Sequence, residues 1–190
     1  MKKILHGYLQ TARGAAVWKL DGLSEYDVRR PLVQSGTNLL GIVKHLTCVE
    51  LGYFGPVFGR PMGQTNPWFE DDVEYSDGLF VRADESRDDI IGSYRRACET
   101  SDATIDALDL DAAGSVPWWG DHPVTLHHVL IHVVAETFRH VGHSDLAREL
   151  IDGSIGYAAD DSNVPEHDSA WWRAYHDRVE DEARQASSRV

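Results

Sequence analysis

Apolar side chains recur every three or four positions through four long stretches of this chain, the spacing of one face of an α-helix. The first stretch runs from Ile4 to Leu20, with Ile4, Leu5, Tyr8, Leu9, Ala12, Ala15 and Ala16 on the repeat, and Asp21-Gly22 stops it. A short polar turn or half-helix follows from Leu23 to Leu32 and closes near Pro31. Ser35-Gly36-Thr37 opens the second helix, with Thr37 as its N-cap. Its apolar face uses Leu39, Ile42, Val43, Leu46, Val49 and Tyr53 and ends before Gly55-Pro56. The third helix starts at Asp84–Ser86, where Ser86 and Asp89 resemble a capping box, and runs through Ile90, Ile91, Tyr94, Ala97, Cys98, Ser101, Ile105 and Leu108. Thr125 caps the fourth, which reaches Ile151 before Asp152-Gly153. A fifth, shorter pattern from Ser169 to Arg184 carries Trp171, Trp172, Tyr175 and Val179 on one side. No strand pattern, internal repeat or low-complexity segment stands out.

Between the second and third helices, Gly55, Pro56, Gly59, Pro61, Gly63 and Pro67 break any long helix. A connection of about thirty residues is far longer than ordinary loops and carries either function or a crossover. Four long helices with one such connection predict an all-α, four-helix bundle of up-down-down-up topology, followed by a short C-terminal helix. At 190 residues the whole chain, 1–190, fits one domain with a sizeable core.

Composition narrows the function. With 18 basic and 31 acidic residues the formal charge is −13, which argues against nucleic acid, since its phosphates must be neutralised. A hydrophobic content of 42% with six Trp is that of a globular chain. Cys48 and Cys98 have no metal-ligand spacing and no disulfide framework, which places the protein in a reducing cytoplasm. No apolar run is long enough for a membrane span, and MKKILHGYLQ has no apolar segment behind its lysines.

The fourth helix holds the chemistry. Its segment HHVLIHVVAETFRHVGH contains five of the chain's ten histidines, at 127, 128, 132, 140 and 143. His128, His132, Glu136 and His140 are four apart and so form one line down a helical face. Imidazole and carboxylate are the usual ligands of divalent metals. A row spanning about 18 Å is too long for one ion, so it must divide into a pair and bystanders. His45 of the second helix, between Ile42 and Val49, is the candidate third ligand from across the bundle. It lies about ten residues before its helix ends, which in an antiparallel partner corresponds to a level near residue 135. Glu136 and His140 both reach that level, although composition alone leaves His128/His132 and His132/Glu136 open. His143 either supports a ligand of such a site or lies near its mouth. His127 lies on another face, and His122, His167 and His176 read as loop or surface residues. Without a metal, the same line fits a polar seam in a homodimer interface.

The strings SGTNLLGIVKHLTCVELGYF, AETFRHVGHSDLARELID and WWRAYHDRVEDEA resemble the DinB/YfiT-like superfamily, and within it the actinobacterial branch related to mycothiol-dependent enzymes. The likeness covers nearly the whole chain. It implies an up-down-down-up bundle and a divalent metal held by one histidine of the second helix and two residues one turn apart in the last long helix. Carried over by position, these are His45, Glu136 and His140, with Glu136 replacing the commoner histidine and His132 standing one turn away. Zinc and nickel both suit that donor set. Three protein ligands leave positions open for water or substrate.

The resemblance further implies a metal-dependent thiol S-transferase or isomerase. Its partners would be a low-molecular-weight thiol such as mycothiol and an electrophile. The competing expectation is a metal- or ligand-binding stress-response protein without turnover. Cys48 reads as a small core residue, not a nucleophile. Trp68, Trp118 and Trp119 are candidates for the wall of the substrate mouth, and Arg139 and Arg148 for anion contacts.

Overall fold

A computed structural model describes residues 1–66, 78–120 and 122–188. The predicted site residue Trp68, with the middle of the long connection, lies outside the described residues. The described chain is mostly helical: α1 (Lys2–Trp18), α2 (Glu25–Arg29), α3 (Leu39–Phe54), α4 (Arg87–Ala107), α5 (Leu126–Asp152) and α6 (Ser169–Ser187).

Two expectations are corrected. The chain contains strands, β1 (Ala113–Ser115) and β2 (Pro123–Thr125), paired antiparallel with Gly114 opposite Val124. Three residues per strand are too few to display an alternating pattern. The second correction is the cap of α3: Asn38, not Thr37, takes the extended backbone, and its side chain accepts from Gly41 N at 2.8 Å. Thr37 sits one residue outside, its hydroxyl engaged with that of Ser35. The other expected caps form as the sequence suggests. Ser86 accepts from Asp89 N, Thr125 accepts from His128 N, and Gly153 closes α5 at φ 82°.

Helix α3 is the central element, packed on α4 and α5, while α1 packs chiefly on α5. Its Leu39, Leu40, Ile42, Val43, Leu46, Val49, Leu51 and Phe54 are all buried, each such side chain contributing roughly 1.5–3 kcal/mol. The core divides into two clusters. One joins Ala12–Leu20 of α1 and the turn after it with Leu39–Leu46, Ile90, Tyr94, Val141 and Ala147. The other joins Leu9, Val49, Tyr53, Phe54, Ile105 and Leu126–Val133.

Buried polar groups tie the clusters together. Arg13 grips Glu50 with two hydrogen bonds, Nε to Oε1 at 2.7 Å and Nη2 to Oε2 at 2.6 Å, and reaches Asp102 at 2.6 Å. Near the far end of α1, Lys19 donates to Asp145 and to the carbonyl of Gly156, both at 2.5 Å, so the chain after α5 is pinned to α1. Helix α6 buries none of its residues and leaves Trp171, Tyr175 and Val179 partly exposed.

The small sheet lies against the Pro56–Phe58 turn. A Cβ on Gly114 would come within 2.7 Å of Phe58 Cε1 and 2.8 Å of Val57 O, so only glycine permits that approach. Between the strands, Pro117–Trp119 forms a 3-10 turn that carries Trp119 toward His132 of α5 and Trp118 toward Tyr53 of α3.

Candidate metal centre

His45 enters the site from α3 with its side chain only 3% exposed. Its apolar helix buries it, and the i, i+4 spacing of Glu136 and His140 sets two donors on the facing side of α5. Glu136 Oε1 lies 2.9 Å from His140 Nε2 and 3.5 Å from His45 Nε2. The two imidazole rings are 4.6 Å apart. One donor atom from each of the three residues comes within 4.8 Å of the other two, and among the described residues no other such group of His, Cys, Asp or Glu forms.

Electrostatics prepares these groups as donors. Burial, aided by nearby His140, pushes His45 down to about 4 even though Glu136 opposes the shift. Burial likewise lowers His140 against the pull of Glu136. Burial would raise the Glu136 carboxyl, but His140 and His45 together hold it below its ordinary value. At neutral pH the set is therefore two neutral imidazoles and one carboxylate, the protonation state that coordination requires.

The residues fit a divalent ion. Ligand bonds of 2.0–2.2 Å in a tetrahedral shell place neighbouring donors roughly 3.3–3.6 Å apart. The 2.9 and 3.5 Å separations around Glu136 Oε1 lie near that range. The cluster can hold a metal ion, with coordination positions left for a further ligand.

The remaining histidines separate from this group. His132 packs its ring on Tyr53 at 4.8 Å and on Trp119 at 4.5 Å, and burial lowers its pKa. His128 lies 5.2 Å from Trp119. His143 is exposed, its ring 5.5 Å from that of His140. His127 and His122 are exposed, His176 is exposed beside Asp177, and His167 stacks on Trp171 at 3.7 Å.

Of the two arginines expected near the mouth, Arg139 is exposed and 3.9 Å from Glu136 Oε2. Arg148 is committed elsewhere: it is buried, paired with Asp152, and donates to Lys19 O. Cys48 is buried, as expected of a core residue. The apolar repeat of α3 marks Tyr53 only as a face position. Its ring belongs with Trp118, Trp119 and His132, and the available signal was its place two turns beyond His45 on the same helix.

A family model for mycothiol S-transferases matches residues 4–153. The chain belongs to the mycothiol S-transferase family. The match takes in His45, Glu136 and His140 and spans α1 through α5, stopping before α6. It agrees with the mycothiol-related resemblance of the sequence. None of the curated proteins compared with the chain matches it. No described helix is long and apolar enough to cross a membrane.

Proposed function

We propose that this member of the mycothiol S-transferase family joins a low-molecular-weight thiol, mycothiol, to an electrophile, using a divalent metal held by His45, Glu136 and His140. The observation that carries the reading is the convergence of these three donors within 4.8 Å, in a chain of that family. Zinc and nickel suit two imidazoles and a carboxylate. A divalent cation there lowers the pKa of a coordinated thiol, so that sulfur is nucleophilic at neutral pH.

The chain's own residues supply the rest. His45 and His140 stay neutral because they are buried, so neither loses its lone pair to a proton at neutral pH. Glu136 contributes one negative charge, with its Oε1 2.9 Å from His140 Nε2. Packing in α3 leaves His45 3% exposed, while Glu136 at 21% and His140 at 12% keep the site open to solvent on one side. In the transfer, the thiol proton passes to solvent and sulfur forms a bond to the electrophilic carbon. The bond from that carbon to its leaving group breaks, and the leaving group departs with the electron pair.

We also read the helices as an up-down-down-up bundle within one unit, 1–190, working in the cytoplasm. The two core clusters support the topology. The first joins the late part of α1 to the early parts of α3 and α4 and the late part of α5, and the second joins the opposite ends.

The test is metal analysis of the wild type and of His45→Ala, Glu136→Ala and His140→Ala, together with conjugation of mycothiol to monochlorobimane. The expected result is stoichiometric metal in the wild type, loss of metal in each variant, and turnover that follows metal content. Full occupancy in all three variants overturns the ligand set. Metal binding without conjugation of any of several electrophiles overturns the transferase and leaves a binding protein.

A further inference from the structure

The histidines left over from the metal triad are not idle. One turn before Glu136, His132 meets Tyr53 and Trp119 at ring distances of 4.8 and 4.5 Å. A turn earlier, His128 meets Trp119 at 5.2 Å. Tyr53 closes the group with Trp118 at 5.3 Å and Trp119 at 5.5 Å, and its hydroxyl accepts from Trp118 Nε1 at 3.1 Å. We infer that these five rings form the acceptor subsite of the transfer and select planar, apolar electrophiles. The inference rests on the transferase reading above.

Three features carry it. The first is placement. Tyr53 follows His45 by two turns in α3 and His132 precedes Glu136 by one turn in α5, so the rings begin about 6 Å along the seam from the donors. A flat acceptor stacked there sits within reach of sulfur at the triad. The second is rigidity. Trp118 and Trp119 ride on a 3-10 turn between β1 and β2, and β1 is held against Phe58 by the close approach at Gly114. The third is accessibility and charge. Trp118 is 44% exposed although its indole N–H is bonded inward to Tyr53. A ring serving only to seal the core would be covered. No carboxylate, ammonium or guanidinium belongs to the five. Stacking and edge-on contacts therefore provide the recognition, and an anionic or branched aliphatic acceptor gains little from them.

The test uses the metal-loaded full chain. Steady-state kcat/KM is measured with mycothiol for monochlorobimane, a planar bicyclic acceptor, and for iodoacetamide, a small aliphatic one. Wild type is compared with Trp118→Ala and His132→Leu, with circular dichroism and metal content checking that each variant is folded and loaded. In parallel, an unreactive methyl bimane is titrated against tryptophan fluorescence, a readout that needs no turnover. The expected result is a preference for monochlorobimane over iodoacetamide in the wild type. In each variant this preference falls about tenfold, the size of a lost ring-on-ring contact, with a matching loss of methyl bimane affinity.

If conjugation is metal-dependent but neither variant changes the preference or the affinity, the subsite is wrong and the transferase stands. If no thiol is conjugated yet methyl bimane binds and both variants weaken it, the transferase falls and the ring site stands as a planar-ligand site.

Discussion

The Arg13–Glu50 pair shows how a single buried residue governs stability in this protein. Both side chains are almost inaccessible, at 4% and 1% exposure, and each neutralises the other. Glu50→Leu leaves Arg13 with only the partly exposed Asp102, and the expected cost is about 3–5 kcal/mol, measured by chemical denaturation. Asp102 adds a pH dependence. Burial pushes its carboxyl up, but Arg13, His6 and Gln10 together hold it below its ordinary value of 3.8. Because the folded value is depressed, its contribution is present above about pH 4, the unfolded carboxylate range, and is lost as pH falls through the folded value. Asp102→Asn is therefore expected to lower the melting temperature at pH 7 and to flatten its decline in acid. A variant with an unchanged acid limb would remove Asp102 from the account. At this scale Glu136 and His140 were legible, since i, i+4 spacing is a property of the chain itself, while His45 came from the depth match and the family resemblance. Arg13 with Glu50, or Tyr53 with His132, was not, because partners on different helices leave no periodic trace.

Among the elements, α5 and the small sheet do the positioning. Thr125 ends β2 and caps α5, so Thr125→Ala is expected to cost about 1 kcal/mol and to loosen the helix end that carries His128 and His132. Gly114→Ala places a methyl group against Phe58 and Val57 O, and the sheet must shift to admit it. The expected penalty is about 1–3 kcal/mol, with a weaker tryptophan response to planar ligands. A thermal melt and the fluorescence titration check the two effects. The helices were readable because apolar residues at helical spacing must bury one face. The strands were not, since three residues pair only because Gly114 and Val124 happen to face each other. Choosing Asn38 over Thr37 as the cap likewise depended on which residue the preceding turn leaves extended.

The whole molecule has an uneven distribution of stability. The family match ends at residue 153, and α6 beyond it buries no residue. Ending the chain after Val164 is expected to change the melting temperature by less than about 4 °C and to leave metal content intact. A collapse of the fold would show that α6 belongs to the core. Sequence alone determined the helical class, the positions of the four long helices and the line of candidate ligands on α5, because each follows from local periodicity. It also placed the chain near the mycothiol-dependent proteins. The resemblance already divides that line into Glu136 with His140 and bystanders; only the tertiary structure shows what each turn of it meets. Glu136 and His140 face His45 across the α3–α5 seam, while His128 and His132 turn to Trp119 and Tyr53. The physical reason is that a helix repeats its neighbours every turn, but which partner helix lies opposite each turn is set by packing.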